Sequence, residues 1–263
     1  MLGTGWVEVV ALAAAFAIAV LATPAGISGA VLLLPFQVSV LGTPSPAVTP
    51  TNLLYNVIAA PGALYRYWRQ GQTGGRLAAV LIAGTLPGVI AGSVIRVELL
   101  PGPGVFDLVI AAVLLPLGGW LAIVAPGRAV EQGRHVRIPK PALVLVAAVV
   151  GCVGGIYGIG GGSILAPILI ATGRPPAEVA PAALGSTFVT SLAGVVTFTI
   201  LSVHQHGPVA PDWPTGIALG LGGLAGAYVG ARIQPRLPDA LIRRLVGVLV
   251  VAIGARYLWA GLG

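Results

Sequence analysis

The residues best able to do chemistry form one uncharged run, Gly154-Gly155-Ile156-Tyr157-Gly158-Ile159-Gly160-Gly161-Gly162-Ser163, set between the apolar stretches 141–153 and 164–170. Six glycines in ten residues disfavour a continuous helix, because each costs about 1 kcal/mol relative to alanine. Where a helix resumes after such a break, its first amides form a concavity for an anion, and the helix dipole adds about half a positive charge there. Gly158, Gly160, Gly161, Gly162 and Ser163 are candidates for that role, with Tyr157 either lying over a ligand or filling space. A shorter version, Gly26-Ile27-Ser28-Gly29, precedes the apolar segment 30–41, so Gly26 and Ser28 join the set. Neutral donors suited to oxyanion oxygens follow each break: Asn52 and Asn56 after the first, Ser186 and Thr187 after the second. The bland reading stands beside this one, since glycines also admit close helix packing and hydroxyls often bond back to their own helix.

These residues must be positioned by elements that live in lipid. Hydrophobic residues make up 57% of the 263, charged residues 8%, and mean hydropathy is +0.98, against about 25% charged residues in a soluble domain. Apolar runs of helical length recur from end to end, so the fold class is all-α, a polytopic transmembrane helical bundle. The net charge of +7 resides in short loops, where the positive-inside rule and lipid headgroups account for it, so a nucleic-acid partner is excluded. The one cysteine, Cys152, rules out an intrachain disulfide or a cysteine metal site. No basic residue precedes the first apolar run, which is read as a mature membrane segment.

The expected helices are 6–23, 30–41, 49–68, 76–97 and 105–124, then 141–153, 163–172, 179–203, 213–231 and 240–262. Residues 1–125 form repeat one, 126–140 a cytoplasmic linker, and 141–263 repeat two. Gly26–Gly29 with Pro35 aligns without a gap on Gly158–Gly161 with Pro167, and Gly84, Gly88 and Gly92 match Gly222, Gly226 and Gly230. Arg66, Arg69 and Arg76 flank a loop whose counterpart, 202–212, has no Lys or Arg; the next loop reverses the bias, with Arg96 alone against Arg232, Arg236, Arg243 and Arg244. The halves are therefore expected to be inverted, each starting with a glycine-broken pair that is re-entrant or discontinuous, with loops 69–76, 126–140 and 232–239 cytoplasmic. The small-residue stripes are packing faces first, and they would also allow a homodimer.

Inverted repeats whose broken helices meet at mid-membrane are the plan of a secondary transporter. No catalytic residue, metal site or cofactor is expected: the seven carboxylates lie at run ends or in loops, and no Ser-His-Asp or metal-ligand spacing occurs within the membrane. A coupling proton or sodium ion is left open. The alternative is a non-transporting membrane scaffold or assembly subunit, in which both breaks are packing points.

The run Gly155–Ser163 with Pro167, its echo at Gly26–Gly29 with Pro35, and the two-part chain resemble the sulfite exporter TauE/SafE family, also called toluene-sulfonate uptake permeases. The resemblance covers nearly the whole chain. It implies a multi-pass inner-membrane transporter of small sulfur-containing anions, such as sulfite, sulfoacetate or thiosulfate, moved in or out.

Overall fold

A computed structural model of the chain describes residues 5–23, 28–69, 71–72, 74–100, 103–123, 138–172, 174, 176–205, 207–233 and 239–262. Every regular element among them is helical. Repeat one as expected from sequence holds α1 (Gly5–Ala22), α2 (Ala30–Phe36, continued by a wider π-type turn, Gln37–Leu41), α3 (Val48–Arg69), α4 (Gly75–Glu98) and α5 (Pro103–Ile123). The remainder holds α6 (Lys140–Tyr157), α7 (Gly162–Ala171), α8 (Pro176–His204), α9 (Trp213–Ile233) and α10 (Asp239–Leu262). Four helices among the described residues are long and apolar enough to cross a membrane: Gly75–Glu98, Gly104–Ile123, Lys140–Tyr157 and Glu178–His204. Most of the expected linker lies outside the described residues, as does Gly26.

One boundary differs from the expectation. α6 does not stop at Val153 but runs on through Gly154 and Gly155 to Tyr157. Only Gly158 (φ 88) and Gly160 (φ 68) adopt the left-handed conformation that breaks the chain. Gly155 stays helical because α6 there lies almost on the α4 backbone: an added Cβ would meet the Val89 carbonyl oxygen.

Directions follow from which residues meet. Gly84 and Gly88 of α4 lie against Val144 and Ala148 of α6, so the two run parallel. Gly74 abuts Ala182 near the start of α8, and Gln205 just past α8 donates to Glu98 at the end of α4 (2.7 Å), so α8 runs the same way. A second parallel trio consists of α1, α3 and α9. There Gly222 and Gly226 lie against Leu12 and Phe16 of α1, and Gly216 and Gly220 against Leu54 and Ile58 of α3. The trios are antiparallel to each other, because Thr49 at the start of α3 accepts from Arg96 at the end of α4 (3.3 Å) and donates to Ile156 O at the end of α6 (3.2 Å). α5 and α10 pair antiparallel, Gly118 meeting Gly247 and Gly261 meeting Leu108. The short α2 packs on α3, and α7 packs on α8.

Such close approach is what holds helices together in lipid, where apolar burial between them gains little over contact with acyl chains. A Cβ at Gly88 or Gly226 would collide with the carbonyl oxygen of Ala148 or Phe16. Both glycine stripes thus serve packing within the chain. Aromatic residues ring the two ends as interface anchors, with Trp6, Trp213 and Trp259 exposed at one end and Tyr65 and Trp68 at the other.

Candidate functional site

Asn52 lies one turn into α3, fully buried, and its amide joins three segments. Nδ2 donates to Ala30 O at the start of α2 (2.9 Å) and to Gly158 O just after α6 (3.0 Å), while Oδ1 accepts from Gln37 Nε2 (3.0 Å). The start of α2 and the turn after α6 therefore lie side by side, within reach of one nitrogen. Tyr157, also fully buried, donates to Val31 O (3.0 Å) and ties the end of α6 to α2.

The two helix starts beside this junction are finished differently. Ser28 Oγ accepts from Ala30 N (3.2 Å), completing the first amide of α2, and donates to Asn56 Oδ1 (2.9 Å). α7 begins at Gly162 after Gly161 with no side-chain cap, although residues 160–163 are all buried. A buried helix start without a capping side chain exposes amide donors to whatever occupies that space. Gly160 and Gly162 face α8: a Cβ at Gly160 would stand 3.0 Å from Ser191 Oγ and 3.0 Å from Thr187 Cγ2, and one at Gly162 would meet the Ala183 carbonyl oxygen and, at 2.5 Å, Thr187 Oγ1. Gly161 faces α4 instead, 2.5 Å from Thr85 Cγ2 by the same construction.

Several candidate donors already have partners. Ser163 Oγ donates back to Ile159 O (3.2 Å), and Ser186 Oγ bonds Thr85 Oγ1 (2.8 Å), whose own proton goes to Leu81 O (2.7 Å). Other atoms are buried without a partner among the described residues: Asn56 Nδ2, Ser191 Oγ and Gln37 Oε1. Unpaired buried polar atoms are rare and demand an explanation, a bound species being one. The candidates Asn52, Tyr157 and Gly158 gather at the junction, and Gly160, Gly162 and Thr187 gather along α8. Gly161 and Ser186 meet at Thr85, and Ser28 and Asn56 form a separate bonded pair.

Sequence reading missed Gln37, Thr85, Ser191 and Arg96. Gln37 is the one amide in the apolar run 30–41, and Ser191 lies one turn beyond Thr187, so both left a signal. Arg96 was expected at the start of a loop. It is instead fully buried in the last turn of α4, with its guanidinium 3.8 Å from the centre of the Phe106 ring. Its Nε donates to Thr49 Oγ1 (3.3 Å), and its terminal nitrogens donate to Leu100 O and Ser45 Oγ. A guanidinium can reach into a helix bundle this way because its flat face stacks on an aromatic ring while its edge is hydrogen-bonded.

Membrane-length apolar helices around a buried polar cluster at two helix starts are the build of an integral membrane protein. The family described as Sulfite exporter TauE/SafE matches residues 11–257, and the chain belongs to it. A probable membrane transporter protein of Xylella fastidiosa (strain 9a5c) is 28% identical over 251 residues, covering 89% of this chain and 88% of its own length. The probable membrane transporter protein YunE of Bacillus subtilis (strain 168) is 30% identical over 120 residues, covering 45% of this chain and 41% of its own length. No solved structure matches the chain. Family and relatives make this protein a membrane transporter rather than an enzyme.

Proposed function

We propose that the protein is a secondary transporter that moves small sulfur-containing anions, such as sulfite, an organosulfonate like sulfoacetate, or thiosulfate, across the cell inner membrane by alternating access. The anion is held near mid-membrane at the start of α7, by the amides of Gly160–Ser163 with Ser191 Oγ and Thr187 as side-chain donors, and Asn56 Nδ2, in its separate pair with Ser28, is a further donor along the anion's route. The observation that carries this reading is the buried, uncapped start of α7 beside a Ser191 hydroxyl that has no partner among the described residues. The first break plays a lesser part, because Ser28 already occupies the first amide of α2. The family's description supplies sulfite as the type substrate.

In this reading α1–α5 and α6–α10 are inverted repeats joined by the linker 126–140. Exchanging the two sets maps the α4–α6 contact onto α9–α1 and the α4–α8 contact onto α9–α3, which supports the reading. Each broken pair is re-entrant, since α1 and α3 start at one end of the bundle and α6 and α8 at the other. Rocking of one trio against the other about the shared junction exposes the anion to alternate sides.

The scaffold reading draws on a specific observation too, the crowding around Gly155 and Gly162, where packing alone would demand glycine. It leaves the unpaired atoms of Asn56 and Ser191 without a role. Labelled sulfite and a small organosulfonate are offered to proteoliposomes at matched membrane potential, with and without a proton or sodium gradient. Saturable flux is expected, with the accelerating gradient naming the coupling ion. Asn56→Leu and Ser191→Ala are each expected to lower flux at least about tenfold, the effect of removing one charge-assisted hydrogen bond or more to the anion. Unchanged flux in both, in correctly inserted protein, overturns the site; a wild type that carries neither anion overturns the substrate.

A further inference from the structure

We propose that Arg96, buried at the end of α4 beside the Gly158 turn without a carboxylate partner among the described residues, recognises the anion by taking a small oxyanion as its counter-ion. The inference rests on the transporter reading and adds to it a charged residue and a preference among anions.

Arg96 has no exposed surface, and every oxygen it bonds among the described residues is neutral. The ion pair Arg174–Glu178 lies elsewhere, partly exposed at the start of α8. A buried cation with no counter-charge carries a large desolvation penalty, and in a membrane helix bundle such a residue marks an ion route far more often than a packing site. Its neighbours explain part of its tolerance. The carbonyl ends of α4 and α6 both lie close, through Leu100 O and through Thr49 and Ile156 O, and helix C-termini favour a cation. Partial charges at helix ends offset only part of a full one.

Position adds the second argument. Thr49 Oγ1 links Arg96 to Ile156, and the main chain of Thr49 lies under Gly158, where an added Cβ would stand 2.6 Å from the Thr49 carbonyl oxygen. The guanidinium is thus one residue away from the junction that Asn52 ties together. The bonds to Ser45 Oγ and Leu100 O come from the two terminal nitrogens, the pair that forms the bidentate fork for two oxygens of one anion. Exchange of those two neutral oxygens for sulfite or sulfonate oxygens would bring the missing negative charge to Arg96. A fork of this shape discriminates in favour of anions with at least two oxygens and against a spherical halide.

The test uses the full chain in lipid nanodiscs, as wild type, Arg96→Lys and Arg96→Gln. Thermal unfolding is followed as sodium sulfite, sodium methanesulfonate or sodium chloride is added at fixed ionic strength, and sulfite flux is measured in proteoliposomes. Both oxyanions are expected to raise the wild-type midpoint, and chloride is not. Arg96→Lys should weaken that oxyanion dependence and raise the KM for sulfite, each by about tenfold, with the maximal rate within about twofold, as expected for loss of ground-state binding. Arg96→Gln should lose the oxyanion response altogether. If both variants only unfold at lower temperature without added anion and keep the wild-type oxyanion response and KM, Arg96 is a structural tie and the proposal fails. Should Arg96→Gln not fold, the Arg96→Lys affinity alone decides in the same way. Arg96-dependent binding of oxyanions in a wild type that transports no sulfur anion upholds Arg96 and overturns the substrate reading. Sulfite flux with Arg96-independent affinity does the opposite, and a wild type indifferent to both oxyanions overturns Arg96 as well.

Discussion

At the residue scale the buried amides divide by whether they are fully bonded. Asn52 uses both ends of its side chain, on Ala30 O, Gly158 O and Gln37 Nε2, so its first duty is to hold two helix starts and a turn together. Asn52→Leu would remove three buried hydrogen bonds, to Ala30 O, Gly158 O and from Gln37 Nε2, and its expected cost is about 3 kcal/mol of stability, from about 1 kcal/mol for each bond lost. Asn56→Leu breaks one bond, from Ser28, and should cost about 1 kcal/mol while abolishing most flux. Denaturant titration in detergent together with flux separates the two; equal stability losses would mean that Asn56 is structural like Asn52. Sequence alone marks both asparagines, because an amide in an apolar helix needs a partner, but not which partner. The choice depends on Gln37 and Gly158, which are 15 residues before and 106 residues after Asn52. Arg96 was illegible for a related reason. An arginine at the end of an apolar run looks like an interface anchor, and only the arrival of Ser45, Thr49 and Phe106 from other segments buries it.

At the scale of the element, the ten helices among the described residues follow from long apolar runs punctuated by proline, glycine and charge, and their limits lie close to those the pattern implies. The exception is the glycine run. Composition counts six glycines as one break, whereas conformation needs only Gly158 and Gly160; Gly155, Gly161 and Gly162 answer to the closeness of α4 and α8, and Gly154 to the chain folding back at Gly160 and Gly161. Substitutions separate these demands. Gly158→Ala places a Cβ at φ 88 and 2.6 Å from the Thr49 carbonyl oxygen, so a loss of about 2 kcal/mol or more is expected from left-handed strain and overlap together. Gly185→Ala, inside α8 with nothing within 4 Å of the added carbon, should instead stabilise by about 0.5–1 kcal/mol through helix propensity. Unfolding midpoints of the two variants measured side by side check the pair. A Gly158→Ala protein as stable as wild type would mean that the turn after Tyr157 is not the one described.

For the whole molecule, packing and charge can be set against each other, since neither was derived from the other. Helix directions put the end of α3, the starts of α4, α6 and α8, and the end of α9 together, which collects Arg66, Arg69, Arg76, Lys140, Arg174 and Arg232 at one end of the bundle. The opposite end holds the starts of α1, α3, α5 and α9 and the ends of α4 and α10, and with them Glu8, Glu98, Asp107 and Asp212 beside only Arg96 and Arg256 among the described Lys and Arg residues. A bundle so polarised is expected to insert with its arginine-rich end in the cytoplasm, where each basic residue near an anionic leaflet contributes about 1 kcal/mol. The loop bias is plain in the sequence, but the pairing of helices that turns it into two ends is not, because it is carried by contacts such as Gly74 on Ala182 and Gln205 on Glu98. Gln72 follows α3 and Gln205 follows its counterpart α8, so inverted repeats must display them on opposite faces of the membrane. In a Cys152→Ser background, a membrane-impermeant maleimide should label Gln72→Cys only from the cytoplasmic side and Gln205→Cys only from the other. Labelling of both from one side would mean that the two halves run the same way, and the junction at Asn52 would then join segments that cannot exchange access by rocking.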